Sequence, residues 1–173
     1  MFSGWGLSWG GWLDNRRGEW WLLAQLLLIT AHLLPPWPAH ADWGLDIWPR
    51  PVFIVGVLLL LSGFGVAAQA FAALGSSLSP LPEAKQGNRL ICQGPYQRCR
   101  HPMYQAVLLC SLGVTLAIGS LLHLLLLLGL MAVLGGKARR EERSLLLLHP
   151  DYAAYRSSTP AIAPGLPWLD WRD

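Results

Sequence analysis

Apolar residues in this sequence gather into three long stretches that contain no Asp, Glu, Lys or Arg. The stretches run over residues 20–41, 51–82 and 103–136 and hold 22, 32 and 34 residues. An α-helix needs about 20 consecutive apolar residues to cross the hydrocarbon core of a bilayer. Each stretch is therefore long enough for at least one membrane-spanning helix.

Turn-forming residues divide these stretches into four predicted spans. The first stretch predicts one retained span near residues 20–37, and the second predicts one over 51–74, ending before Gly75. The third stretch is too long for one span, and Ile118-Gly119-Ser120 interrupts it in the middle. It predicts a helical hairpin whose second helix begins at residue 121 and continues past the membrane into a charged segment.

Composition supports a membrane protein and excludes several other classes. Apolar residues make up 53% of the chain and charged residues only 13%, whereas a soluble domain is usually about one quarter charged. The net charge of +3 is too small to indicate nucleic-acid binding. The three cysteines are odd in number and lack a CxxC spacing, which predicts reduced thiols, no disulfide framework and no metal site.

Positive charge is distributed very unevenly over the four predicted spans. Twelve of the Lys and Arg residues fall in the N-terminus, the 75–102 loop and the C-terminal tail, and only Arg50 falls on the opposite side. Cytoplasmic loops of membrane proteins carry an excess of Lys and Arg. The asymmetry predicts a multi-pass protein with both termini, and the polar residues near them, in the cytoplasm.

Several polar or small residues inside the apolar stretches have a simple packing interpretation. The segment from Gly63 to Ala68 matches a dinucleotide-binding GxGxxA pattern, but that motif requires a preceding strand. Small residues such as Gly63 and Ala67 are instead expected to allow close approach of a neighbouring helix. His32 and His123 are expected to form hydrogen bonds between helices.

Residues suited to chemistry concentrate in two places. The first runs from Asn88 to Tyr104, where Pro102 is well placed to begin a helix and His101 lies at its cap. The second surrounds Glu141, which shares one helical face with Lys137 at i, i+4 spacing. On spacing alone, the second place favours a solvated, charged helix end with an i, i+4 pair.

Taken together, these residues resemble the isoprenylcysteine carboxyl methyltransferase family and the wider group of small membrane methyltransferases that includes the phospholipid methyltransferases. The resemblance runs from about Gly75 to Pro164. It rests on four segments in a fixed order, with a two-helix hairpin between the second and the third. These segments are Leu90-Ile91 with Gly94-Pro95-Tyr96, Arg100-His101-Pro102-Met103-Tyr104, Glu141-Glu142 with Leu145, and Tyr152-Ala-Ala-Tyr155 followed by Pro160.

The resemblance implies an all-α integral membrane fold with S-adenosylmethionine as the cofactor. With the apolar stretches, the chain divides into an N-terminal segment 1–19, two spans within 20–74 and a methyltransferase core 75–173, and the resemblance concerns only the core. In the core, a cytoplasmic loop and the C-terminal tail close the cofactor pocket. The residues implied to line that pocket are Asn88, Arg89, Leu90, Ile91, Tyr96, His101, Pro102, Met103, Tyr104 and Glu141.

The resemblance also suggests where the substrate is handled. The family usually has an Arg one turn before the first Glu, and this chain has Lys137 there; Lys137 and Arg140 are the candidates for substrate binding. Lys offers a point charge where Arg offers a two-pronged donor, which leaves the usual substrate open. The acceptor is expected to be lipophilic, either a lipidated carboxylate or a lipid amine.

The chemistry of methyl transfer asks mainly for alignment of the nucleophile with the methyl group. A carboxylate acceptor is already ionised and needs no base, whereas an amine acceptor must lose a proton, for which Glu142 or His101 is the candidate. Two alternatives remain open: an NADPH-dependent enzyme similar to membrane sterol reductases, and a non-enzymatic membrane scaffold. Binding of one cofactor or the other separates the two enzymes.

Overall fold

The computed structural model describes residues 14–15, 18–45, 47–75 and 90–172, and within these ranges the chain forms five α-helices and no strands. The helices are α1 (Glu19–Ala31), α2 (Arg50–Leu74), α3 (Pro102–Ile118), α4 (Leu121–Leu148) and α5 (Tyr152–Ser158). Two short 3₁₀ helices, η1 (His40–Trp43) and η2 (Gly94–Gln97), lie between them. The expected all-α fold is confirmed.

Local sequence signals explain where the long helices begin and end. Pro102 is the first residue of α3, where its missing N–H leaves no internal hydrogen bond unmade. Gly119 ends α3 in the left-handed conformation, with a φ of 66° that other residues rarely adopt. Only Gly119 and Ser120 separate α3 from α4, so the predicted break and the hairpin are both present.

Two described helices, α2 and α4, are long and apolar enough to cross a membrane, fewer than the four that the sequence predicts. The helices α1 and α3 are apolar but have only 13 and 17 residues. A helix of 13 residues spans about 20 Å, short of a hydrocarbon core of about 30 Å. Pro35 and Pro36 follow α1 and lack the N–H groups that would extend it.

Glycines bring the backbones of α2 and α3 into direct contact. A Cβ atom at Gly56 would lie 2.7 Å from the carbonyl oxygen of Gly113, and one at Gly113 would lie 2.6 Å from the amide nitrogen of Leu60. Further along, a Cβ atom at Gly63 would meet the Sγ atom of Cys110 at 2.6 Å. The expectation that Gly63 serves close helix packing is confirmed.

Histidines join α1 to the hairpin. The Nε2 atom of His32 lies 2.6 Å from the hydroxyl of Ser111 on α3, and its Nδ1–H donates to the carbonyl of Leu28 at 2.8 Å. The Nε2–H of His123 on α4 donates to the carbonyl of His32 at 3.3 Å. Both histidines therefore form the contacts between helices that the sequence predicts.

The C-terminal tail, residues 159–172, packs against the hairpin and builds the hydrophobic core with it. Ala161, Ile162 and Leu169 of the tail are buried together with Leu130 and Leu134 of α4. The amide groups of Arg100 and His101 donate to the carbonyls of Pro160 and Ala161, each at 2.9 Å. These two hydrogen bonds hold the tail beside the start of α3.

Candidate functional site

Three parts of the chain meet at the candidate site: the start of α3, the charged end of α4 and the C-terminal tail. The imidazole of His101 stacks on the ring of Tyr104, with 5.3 Å between centroids and 5° between planes. The imidazole of His101 binds Glu142 and the hydroxyl of Tyr104 binds Glu141, and these two carboxylates are consecutive on α4. The structure therefore brings together His101, Tyr104 and both glutamates, as the sequence predicts.

The carboxylate of Glu141 is anchored and still accessible. The hydroxyl of Tyr104 donates to its Oε2 atom at 2.8 Å, and the Nδ1 atom of His101 lies 3.8 Å from the same oxygen. The side chain of Glu141 is 29% exposed. An anchored, accessible carboxylate beside two aromatic rings is suited to accepting hydrogen bonds from a cationic or hydroxyl-bearing ligand.

The carboxylate of Glu142 is buried and surrounded by donors. Its Oε1 atom accepts from the Nε–H of Arg100 at 2.8 Å and from the Nε2–H of His101 at 3.0 Å. Its Oε2 atom accepts from the indole N–H of Trp171 at 2.7 Å and lies 3.5 Å from the Nε of Arg156. Glu142 thus joins α3, α4, α5 and the tail at one point.

These contacts set the charge of Glu142, which lies in the charged part of α4 beyond the apolar residues 121–136. Burial alone would raise the pKa of this carboxyl, but the hydrogen bond and charge of His101, together with the hydrogen bonds from Arg100 and Trp171, lower it to about 2. A carboxylate with so low a pKa is a weak proton acceptor. The base role suggested for Glu142 stays a prediction, and the contacts favour a role in positioning His101.

Arg100 is a central residue of this site that the sequence analysis did not assign a role. Besides Glu142, its guanidinium donates to the carbonyl of Trp171 at 2.6 Å, to that of Arg156 at 2.6 Å and to that of Thr159. Its side chain is fully buried. In the sequence, Arg100 is marked only by its position directly before His101-Pro102. That position does not indicate that its side chain holds the C-terminal tail.

The two predicted substrate residues lie on α4 near the site. Lys137 is 2% exposed, its Nζ atom donates to the side-chain oxygen of Gln25 at 2.7 Å, and the same atom lies 5.3 Å from the ring centre of Tyr104. Arg140 is half-buried on α4. Gln25 belongs to α1 and was not expected here, because no motif marks it.

Arg139, which the sequence analysis counted only as a charge, holds the tail through aromatic contacts. Its guanidinium carbon lies 4.2 Å from the ring centre of Trp168 and 4.1 Å from that of Trp171. It also donates to the carbonyl of Trp168 at 3.0 Å. Cation–π contacts of this kind are worth about 0.5–1 kcal/mol each at exposed positions.

The remaining predicted cofactor residues occupy the segment before α3 and its first turn. Tyr96 is buried in η2, and burial, followed by the charge of Glu141, raises the pKa of its hydroxyl. Leu90 and Ile91 are half-buried before η2. At the start of α3, Pro102 is buried and Met103 is half-buried. The last two predicted residues, Asn88 and Arg89, lie outside the described residues.

The cysteines form no bridge with one another, and all three are free thiols. Cys99 donates its S–H to the carbonyls of Ala161 and Ile162 at 3.1 and 3.3 Å, and burial raises its pKa to about 11. A thiol with so high a pKa is a poor nucleophile at neutral pH. Among the described residues, no group of three or more His, Cys, Asp or Glu side chains has an arrangement that could hold a metal ion.

The chain is similar to a known protein family and to known relatives. The family described as phospholipid methyltransferase matches residues 51–148. The chain is 32% identical, over 89% of its length and 68% of the relative, to the cobalt-zinc-cadmium resistance protein CzcN of Cupriavidus metallidurans. It is 25% identical, over 88% of its length and 66% of the relative, to the nickel-cobalt-cadmium resistance protein NccN of Alcaligenes xylosoxydans xylosoxydans. No solved structure matches the chain.

Proposed function

The chain belongs to the phospholipid methyltransferase family, and from this premise we propose that it transfers a methyl group from S-adenosylmethionine to a lipophilic acceptor in a membrane. The observation that carries the proposal is the cluster of His101, Tyr104 and Glu141. These residues lie within the matched segment and form one connected group between α3 and α4. The family expected from the sequence is therefore confirmed, and cofactor and acceptor are our proposal.

The residues of the cluster fit this cofactor. S-adenosylmethionine supplies an activated methyl group on a positively charged sulfur, and it also carries an ammonium group and hydroxyls. Glu141 is the accessible acceptor for those donors, since Tyr104 occupies only one of its oxygens among the contacts described. We propose that the other lining residues are Asn88, Arg89, Leu90, Ile91, Tyr96, His101, Pro102 and Met103.

The protein's own groups then have to align the acceptor and, for an amine, remove a proton. His101 is held from one side by Glu142 and from the other by the stacked ring of Tyr104, so its imidazole has a defined orientation. We assign His101 as the base for an amine acceptor; a carboxylate acceptor needs none. Lys137 and Arg140 are assigned to the acceptor.

The proposed topology has four spans, with both termini and the site in the cytoplasm. It is supported by the twelve-to-one distribution of Lys and Arg and by the apolar helices α2 and α4. Residues of α2 such as Leu58, Leu61 and Phe64 are about 60% exposed, as a lipid-facing surface requires. A water-soluble cofactor and a lipophilic acceptor would meet at such a boundary.

Cofactor binding is the direct test of the proposed reaction. S-adenosylmethionine or its demethylated product, at about 100 times its Kd, should stabilise the detergent-solubilised protein by about 2.7 kcal/mol. For a chain of this length that raises the Tm by roughly 5–10 °C. NADPH should produce no shift. A shift with NADPH and none with S-adenosylmethionine would support the reductase alternative, and no shift with either would contradict both enzymes.

We further propose that methyl transfer by this chain supports resistance to cobalt, zinc or cadmium ions. The name of the first relative states cobalt, zinc and cadmium resistance for that protein, and the name of the second states nickel, cobalt and cadmium resistance; the first is similar over 89% of this chain. Cells that lack the chain should grow less well in cadmium, and the parent sequence should restore growth. Glu141→Gln should fail to restore it at equal protein level. Restoration by Glu141→Gln would show that the reaction is not what confers resistance.

A further inference from the structure

Helix α1 lies outside the segment that matches the family and yet reaches the candidate site. Its residue Gln25 accepts a hydrogen bond from the Nζ of Lys137 at 2.7 Å, and Lys137 is 2% exposed. The same Nζ atom lies 5.3 Å from the ring centre of Tyr104, whose hydroxyl binds Glu141. One side chain of α1 therefore contacts Lys137, one of the cations of the site, directly.

Packing along α1 holds Gln25 in this position. The ring of Trp21 lies directly on Gly136, where any side chain would collide with it, and Leu28 lies over Gly129, 3.3 Å from where a Cβ atom would be. At the far end of α1, His32 binds Ser111 of α3. Contacts on both sides of Gln25 thus fix α1 against the hairpin.

The position of Lys137 along α4 relates it to the acceptor. Lys137 directly follows the apolar residues 121–136, so it lies where a lipophilic molecule would present its polar group. Glu141 lies one turn further along the same face, on the side assigned to the water-soluble cofactor. The two charges therefore divide the site into an acceptor side and a cofactor side.

We propose that Gln25 is a positioning residue that directs the Lys137 ammonium toward an anionic oxygen of the methyl acceptor. This inference rests on the proposed function and narrows its substrate class to amphipathic molecules that carry a carboxylate or a phosphate close to the methylated atom. An ammonium group binds such oxygens through charge-assisted hydrogen bonds. Because one N–H of Lys137 is already bound to Gln25, the Lys137 side chain loses less conformational entropy when the acceptor binds.

The test measures binding of acceptor probes to the full-length protein in detergent, without cofactor. N-acetyl-S-farnesylcysteine and its methyl ester form the carboxylate pair, and lysophosphatidylethanolamine and a monoacylglycerol form the phosphate pair. In one of the pairs the parent should bind the charged member about tenfold more tightly, as expected for one charge-assisted hydrogen bond. The pair that shows the preference identifies the source of the anion.

Variants of Gln25 test the role of this side chain. Gln25→Ala should lose most of the preference for the charged probe while the neutral probe binds as before. Gln25→Glu keeps an oxygen for Lys137 but adds a negative charge, so it should bind the charged probe less well than Gln25→Ala does. The matched control is Thr30→Ala on the same helix, since the described hydrogen bond of the Thr30 hydroxyl goes to the Leu26 carbonyl of α1 itself.

Three outcomes would overturn the inference: no preference in either pair, an unchanged preference in Gln25→Ala, or an equal loss in Thr30→Ala. A melting-temperature shift with S-adenosylmethionine, measured on each variant, shows that the fold and the cofactor side are intact. That shift also separates the two proposals. If S-adenosylmethionine does not shift the Tm of the parent, the methyltransferase function is contradicted. If it does shift the Tm but Gln25→Ala keeps the preference for the charged probe, only the role of Gln25 is contradicted.

Discussion

Replacing Arg100 with Ala is expected to lower the free energy of unfolding by about 3–5 kcal/mol, because it leaves the buried carboxylate of Glu142 without its closest cation. The variant also loses the hydrogen bonds from Arg100 to the carbonyls of Arg156, Thr159 and Trp171. For a chain of this length the Tm should fall by roughly 6–20 °C. Thermal unfolding in detergent, followed by tryptophan fluorescence, measures the change.

Arg172→Ala is the matched control for this substitution. Arg172 forms an ion pair with Asp170 at 2.9 Å, but its side chain is 46% exposed. Exposed ion pairs contribute about 0–1 kcal/mol, so the control should change the Tm by only a few degrees. Equal shifts in the two variants would contradict the assignment of Arg100 as the residue that holds the tail.

Replacing Glu141 with Gln is expected to weaken binding of S-adenosylmethionine tenfold to a hundredfold. The substitution removes a charged acceptor whose loss costs about 1.5–3 kcal/mol. The side chain is 29% exposed and is bound at one oxygen by Tyr104, so the protein should remain folded. Titration of the cofactor by calorimetry measures the affinity directly. Binding as tight as that of the parent would favour the alternative of a solvated, charged helix end.

The neighbouring Glu142→Gln variant provides the contrast. Because Glu142 contacts Arg100, His101 and Trp171, its substitution should lower the Tm strongly. At a temperature where the variant remains folded, its affinity for the cofactor should stay close to that of the parent. The two glutamates should thus separate into one that binds a ligand and one that holds the site together, although they are adjacent in sequence.

Much of the secondary structure could be predicted because its signals are local. Gly119 and Pro102 mark helix ends through their own backbone preferences, independent of any distant residue. Gly63 was expected at a close contact between helices because a residue without a side chain lets two backbones approach. In the structure it packs against Cys110 of α3. Two of the four predicted spans, α2 and α4, are long enough in the described residues to cross a membrane, because an uncharged stretch shows where a helix can lie but not how far it continues.

The amino-acid sequence by itself determined the helical class, the hairpin, the family and the residue types at the site. These follow from long apolar stretches, helix-end residues and a motif order that are all present along the chain. Only the tertiary structure decided what each charge does. Glu141 and Glu142 lie about 100° apart around α4, so one contacts Tyr104 and remains accessible while the other is buried among cations. Gln25 and Arg100 acquire their roles from residues that lie 112 and 42 positions away, a separation that no local pattern encodes.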